Sequence, residues 1–278
     1  MYLYQGIPSI ESYKKLLKSS LFLSMELFSN QFLGKNKSAL EIYSKKWVSD
    51  PFHQWSRQYE YPFVYYYVLD YINNRQKSDI KILDAGSGVT FFPYYLASIA
   101  SNIQVVCCDY DTSHGKVFSK INNDAKLPDN FCPADIRHLP FRESAYDIVY
   151  CISVLEHIDG LEKTIEEFKR ILKQNGLLIL TFDISIDGLD DIPHDKAVEL
   201  IESLNNHFSC INGFNSKQAL KLLDSDKILT TRYISKFDKN LLPWKYSRSK
   251  AFKDILKFRT PKPFFTNLTC YCLVLCNL

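Results

Sequence analysis

The chain has 278 residues, 46% of them hydrophobic and 23% charged, which suits one large globular domain, or one carrying an insertion, and excludes a disordered chain. Its 34 basic and 31 acidic residues leave a net charge of +3, too small an excess to mark a nucleic-acid binder. No apolar run reaches the roughly 18 residues of a membrane helix and the first residues lack a signal-peptide pattern, so the expectation is a cytoplasmic protein with no membrane contact.

Residues 1–78 read as helical and are crowded with aromatic side chains. Trp47, Phe52, Trp55, Tyr59, Tyr61, Phe63 and Tyr65 to Tyr67 fall within one short stretch. Most such aromatics belong to a core, but together they also make a candidate lid over a substrate. Residues 79–278 form the second unit. There, short runs that are apolar on both faces alternate with helical patterns: KILDAG (81–86), IQVVCCD (103–109), YDIVYCI (146–152) and GLLILTFDI (176–184). That alternation predicts a parallel sheet between helix layers. An insertion about 185–262 carries helix patterns at 194–207 and 216–224, a predicted strand ILTTRYI at 228–234, and a basic helical piece at 245–262. The last predicted strand is 268–278.

Eight cysteines include no CxxC pair, and several lie inside apolar runs, so they read as reduced, buried thiols. Cys270, Cys272 and Cys276 share one strand face. Buried thiols remain the better reading there than a soft-metal site.

Two of only nine glycines, Gly86 and Gly88, stand between the first strand and the next helix, in Asp84-Ala85-Gly86-Ser87-Gly88-Val89-Thr90. Glycine permits a sharp turn and a close ligand approach. A dinucleotide fingerprint would need a third glycine at the position of Phe91. Asp84, two residues before Gly86, would repel a pyrophosphate. A carboxylate beside such a loop suits a cation, and an ammonium- and sulfonium-bearing nucleoside without phosphate satisfies both conditions.

In order along the chain, ILDAGSG, QVVCCDYD, CPADIRHLPF, YDIVYCISVLEHI and LEKTIEEFKRILKQNG followed by LLILTF resemble the successive motifs of class I S-adenosylmethionine-dependent methyltransferases, the small-molecule kind. The resemblance covers about residues 80–184 and the last strand. It implies a Rossmann-like α/β fold: a mostly parallel seven-stranded sheet with an antiparallel last strand, helices on both faces, and the aromatic N-terminal stretch as lid. It implies S-adenosylmethionine as cofactor, held by Asp84, Gly86, Ser87, Gly88, Thr90, Asp109, Tyr110, Asp135, Ile136 and Ile152. In that scheme Asp109 accepts both ribose hydroxyls, Asp135 accepts from the adenine amino group and the Ile136 backbone N–H faces a ring nitrogen. Thr90 replaces the family's third loop glycine, and its hydroxyl can still donate to the methionine carboxylate. Arg57 is a further candidate for that carboxylate or for a substrate anion.

His157, just beyond the fourth strand, is the candidate general base for a hydroxyl acceptor. Glu156-His157 resembles the end of the metal-binding Glu-x-x-Glu-His pattern of quinone O-methyltransferases, but Ser153 replaces the first acid, so no metal is expected. The expected reaction is methylation of a small molecule, with O-methylation ahead of N-methylation. The alternative is a catalytically silent binding or scaffold protein. The implied partner is a small-molecule acceptor rather than nucleic acid or membrane, and a homodimer stays open.

Overall fold

Successive residues of the central strands point to opposite sides, and the two apolar faces this creates organise the chain. The computed structural model describes residues 2–44, 50–74, 79–125, 129–189, 192–242 and 266–278. Trp47 and the basic piece at 245–262 lie outside the described residues. The strands are β1 (Ile80–Ala85), β2 (Ile103–Asp109), β3 (Phe131–Pro133), β4 (Tyr146–Ile152), β5 (Leu172–Ser185), β6 (Ile192–Pro193), β7 (Ser209–Cys210) and β8 (Leu268–Cys276). They form one sheet in the order β3-β2-β1-β4-β5-β8-β7, with β6 beside β5. Strands β1 to β6 pair in parallel, and β8 runs antiparallel to both β5 and β7.

The fold class is the expected one, with eight strands among the described residues in place of seven. The two-residue β6, which ends in a proline, is too short to leave a periodic signal in the sequence. The run predicted as a strand at 228–234 also divides. Ile228 makes an isolated bridge to Ser9, and the Thr230 hydroxyl accepts from the Tyr233 N–H, capping a helix at Thr231–Phe237. Cap chemistry overrides β propensity there.

On one face, Ile82, Cys107, Ile148, Tyr150, Cys270 and Cys272 pack against helices α1 (Ile10–Leu17), α2 (Ser20–Lys35), α3 (Lys37–Tyr43), α4 (Arg57–Asn73), α5 (Phe92–Ala97) and α6 (His114–Ala125). On the other, Leu83, Cys108, Val149, Cys151, Tyr271 and Leu273 meet α7 (Leu161–Ile171) and α8 (His194–His207). Helix α7 buries Thr164, Ile165, Phe168 and Ile171, the spacing of a single helical stripe. The aromatic stretch lies inside the first of these cores. Phe52, Trp55, Tyr59, Tyr61, Phe63 and Tyr67 are all buried, while Tyr65 and Tyr66 are half-buried. Phe91, where a dinucleotide site would have glycine, is itself a core residue. Its ring lies 5.5 Å from Phe52 and 5.3 Å from Tyr61, joining the start of α5 to the N-terminal helices.

Candidate active site

The strand order reverses at β1, with β2 on one side and β4 on the other. In open α/β sheets such a switch point opens a crevice beyond the carboxyl ends of the strands. A cavity of about 620 Å³ lies there. Every residue singled out from the sequence for cofactor or catalysis lines it: Arg57, Asp84, Gly86, Ser87, Gly88, Thr90, Asp109, Tyr110, Asp135, Ile136, Ile152 and His157.

The loop after β1 has glycine where geometry requires it. Gly86 and Gly88 have φ of 77° and 53°, a region that costs other residues energy. A Cβ on Gly86 would stand 2.6 Å from a Val154 methyl, and one on Gly88 would stand 2.7 Å from the Tyr43 hydroxyl oxygen. The Gly86 and Ser87 N–H groups both donate to the Cys108 carbonyl at 2.9 Å. The Gly88 N–H donates to Asp109 Oδ2 at 2.9 Å, while Oδ1 accepts from the Asp111 N–H at 2.9 Å. Each Asp109 oxygen therefore keeps acceptor capacity for a ligand. The Thr90 hydroxyl oxygen accepts from the Phe92 N–H at 3.4 Å, so its proton remains available for donation.

Asp84 is buried at the head of this loop, between Cys107 of β2 and Tyr150 of β4. Burial pushes its carboxyl up to about 8; the Tyr150 hydroxyl opposes that rise and nearby Asp109 adds to it. A carboxyl held neutral by burial is one that a bound cation would ionise.

Beyond the short β3, Asp135 sits in a turn closed by the His138 N–H donating to its backbone carbonyl at 2.9 Å. The Arg137 guanidinium holds its carboxylate with a two-pronged contact of 2.9 and 2.7 Å. That bonding holds the Asp135 pKa below the ordinary carboxylate value. Tyr110 is exposed at the cavity mouth, and Ile136 and Ile152 are buried in its wall.

At the end of β4 the backbone of Ser153 takes a left-handed conformation, φ 46°, which aims its hydroxyl at the N-terminal helices. That hydroxyl donates to Glu60 Oε1 at 2.8 Å, and Arg57 Nη1 donates to both Ser153 and Glu60. Burial works against the Arg57 charge, but Glu60, Tyr61 and Asp183 outweigh it and raise its pKa. Glu156, close behind, is pushed upward by burial, with Arg57 opposing and Glu60 adding to the shift. Glu156 Oε1 accepts from the Asp183 N–H at 3.2 Å, whereas its buried Oε2 has no hydrogen-bond partner among the described residues. An uncharged Glu156 is the state this environment favours. His157 lies at the rim, exposed, in the single turn Leu155–His157, with its backbone N–H bonded to the Val154 carbonyl at 3.0 Å.

Of the aromatic stretch, Tyr61 does line the cavity; sequence reasoning missed Tyr43 as a cavity wall, Glu60, Ser153 and Glu156 as the buried polar cluster, and Arg137 as the partner of Asp135. The Arg57–Glu60 spacing, i and i+3 on one helix, was a local signal that could have found Glu60. Tyr43 and Ser153 meet the site through tertiary contact alone.

Residues 83–180 match a family model described as a methyltransferase domain. An uncharacterised protein of Methanocaldococcus jannaschii is 36% identical over 104 residues, covering 37% of this chain and 41% of that protein. The ubiquinone biosynthesis O-methyltransferase of Rickettsia akari is 28% identical over 119 residues, 41% of this chain and 46% of the relative. The chain thus spans less than half the length of these curated relatives. Geranyl diphosphate C-methyltransferase from Streptomyces coelicolor shares the fold, with a TM-score of 0.50 at 10% identity, over 100% of this chain and 88% of that one.

Proposed function

We propose that the protein, whose residues 83–180 match a methyltransferase domain, is a class I S-adenosylmethionine-dependent methyltransferase that methylates a hydroxyl group of a small molecule. One observation carries the reading: a single cavity at the switch point of the sheet is lined by Asp84, Gly86, Gly88, Asp109 and Asp135 together.

Those residues fit the cofactor group by group. The buried Asp84 carboxyl suits the ammonium end. Asp109, with acceptor capacity left on both oxygens, suits a vicinal diol. Asp135, its charged form favoured by Arg137, suits an exocyclic amino group, with the Ile136 N–H beside it for a ring nitrogen. The Thr90 hydroxyl and the Arg57 guanidinium are donors for a carboxylate, Arg57 while still anchored to Glu60. The glycine loop leaves room for main-chain approach, and nothing in the set favours a phosphate. When bound, the cofactor supplies a methyl carbon already activated by a sulfonium.

The protein's own task is alignment, exclusion of water and management of one proton. Tyr43 and Tyr61 from the N-terminal helices, with Gln54 from the turn before α4, wall the remaining space, which restricts the acceptor to a small molecule. His157 on the rim accepts the proton of the attacking hydroxyl and, being exposed, passes it to solvent. The O-methyltransferase relative in Rickettsia akari supports a hydroxyl acceptor.

Calorimetric titration with S-adenosylmethionine and S-adenosylhomocysteine, followed by mass spectrometry on a panel of phenols and sugars, tests the reading. Binding of both cofactor forms and gain of one methyl group by a hydroxylated acceptor are expected. Asp109→Ala should lose about 1.5–3 kcal/mol of cofactor affinity, the cost of a charge-assisted pair. Failure of the folded protein to bind either form would overturn the cofactor site. Binding without transfer to any acceptor would favour a silent binding protein.

A further inference from the structure

The contact between Arg137 and Asp135 does more than neutralise a charge. Asp135 Oδ1 accepts from the Arg137 backbone N–H at 2.9 Å and from its Nε at 2.9 Å; Oδ2 accepts from Nη2 at 2.7 Å and, more distantly, from Nε at 3.1 Å. A carboxylate has about four lone-pair positions. Arg137 fills both on Oδ1 and one on Oδ2, which leaves a single acceptor position on Oδ2 for whatever enters the cavity. The carboxylate cannot rotate without breaking the fork.

We infer that Arg137 is a positioning residue that makes the nucleobase end of the cavity select an exocyclic amino group over a carbonyl. The inference rests on the cofactor reading above. The Asp135 carboxylate presents an acceptor there, pointed one way. An amino group at the purine 6-position completes it. A 6-oxo group at the same place sets oxygen against carboxylate and leaves both lone pairs unpaired, and specificity of this kind comes from the mismatch as much as from the match. The same contact favours the charged carboxylate, since Arg137 bonding holds the Asp135 carboxyl below its ordinary pKa. Lysine would supply the charge without the fork.

The test is calorimetric titration of the full chain with S-adenosylhomocysteine and S-inosylhomocysteine, which differ in the 6-amino and 6-oxo groups. Wild type should prefer the adenosyl compound by roughly 10- to 100-fold. Arg137→Ala and Arg137→Lys should both lose most of that ratio, mainly through weaker adenosyl binding, with melting temperatures close to wild type. Asp135→Asn, whose amide can turn an N–H toward a 6-oxo group, should also close the ratio, with tighter inosyl binding. A wild-type ratio retained in Arg137→Ala, whether both affinities fall together or neither does, overturns the inference, and a wild-type ratio in Arg137→Lys overturns the role of the fork. Wild type that binds the adenosyl compound without preference sinks the inference alone. Wild type that binds neither compound sinks the cofactor reading beneath it.

Discussion

The Ser153 hydroxyl donates to the Glu60 carboxylate at 2.8 Å, joining residues 93 positions apart. One lies on the N-terminal helix α4 and the other at the end of β4, so the wall of the cavity and the body of the sheet are held together by a buried polar contact. Arg57, bonded to both, supplies the positive charge that makes this burial tolerable.

Removing that charge should be costly. Arg57→Ala leaves Glu60 buried without its counter-ion, and a loss of about 3–5 kcal/mol in urea unfolding is expected. Arg57→Met combined with Glu60→Gln should lose distinctly less, because no unpaired charge remains. Equal losses in the single and double variants would show that packing, not charge, accounts for the effect.

Asp84 links stability to pH. Its carboxyl is raised in the folded protein to about 8 from an ordinary value of 3.8. Below about pH 4 both the folded and unfolded states hold the proton and Asp84 costs nothing. As pH rises toward 8 the unfolded state ionises first, so folded stability is lost across that window and levels off above it. Asp84→Asn should therefore gain stability relative to wild type as pH rises from 4 to 8, while binding S-adenosylmethionine more weakly. In the wild type at pH 7, cofactor binding should release a proton, seen as a binding enthalpy that varies with the ionisation enthalpy of the buffer. A stability difference independent of pH would remove Asp84 from this role.

Gly88→Ala tests the loop. The substitution meets two obstacles, a left-handed backbone at φ 53° and the Tyr43 hydroxyl 2.7 Å from the new methyl. Backbone strain should account for about 1–2 kcal/mol, and the Tyr43 clash adds to it. Tyr43→Phe in the Gly88→Ala background should recover the steric part and leave the strain, which a double-mutant cycle separates. If the cycle shows no coupling, the hydroxyl swings aside freely.

His157→Ala should cut turnover on a hydroxyl acceptor by about 10²- to 10⁴-fold with cofactor affinity nearly unchanged. Since His157 is exposed at the rim, the variant should fold as well as the wild type, and its melting temperature checks this. Wild-type turnover in the variant would return proton transfer to solvent or to another cavity residue.

The sequence by itself determined the parts of this protein that depend on local order. Runs such as IQVVCCD and YDIVYCI, apolar on both faces, require burial between helix layers, and β2 and β4 fall on them. Gly86 and Gly88 announced a tight loop because so few other glycines compete, and Asp84 and Asp109 were legible because each stands at the end of a predicted strand, whereas Asp135 was legible only through the resemblance of CPADIRHLPF to a family motif. Short elements were not legible. The bridge at Ile228 and the helix after Thr230 share an apolar run that reads as one strand, and only the packing of Ser9 and the cap on Tyr233 divide it. Tertiary structure alone decided the walls of the cavity. Tyr43, Glu60 and Ser153 belong to segments with no shared periodicity, and a buried carboxylate becomes tolerable only where folding brings Arg57 and a strained serine to it. The restraint on Asp135 was local in sequence but invisible there, because whether a neighbouring arginine forks onto a carboxylate or turns to solvent depends on backbone geometry that the fold imposes.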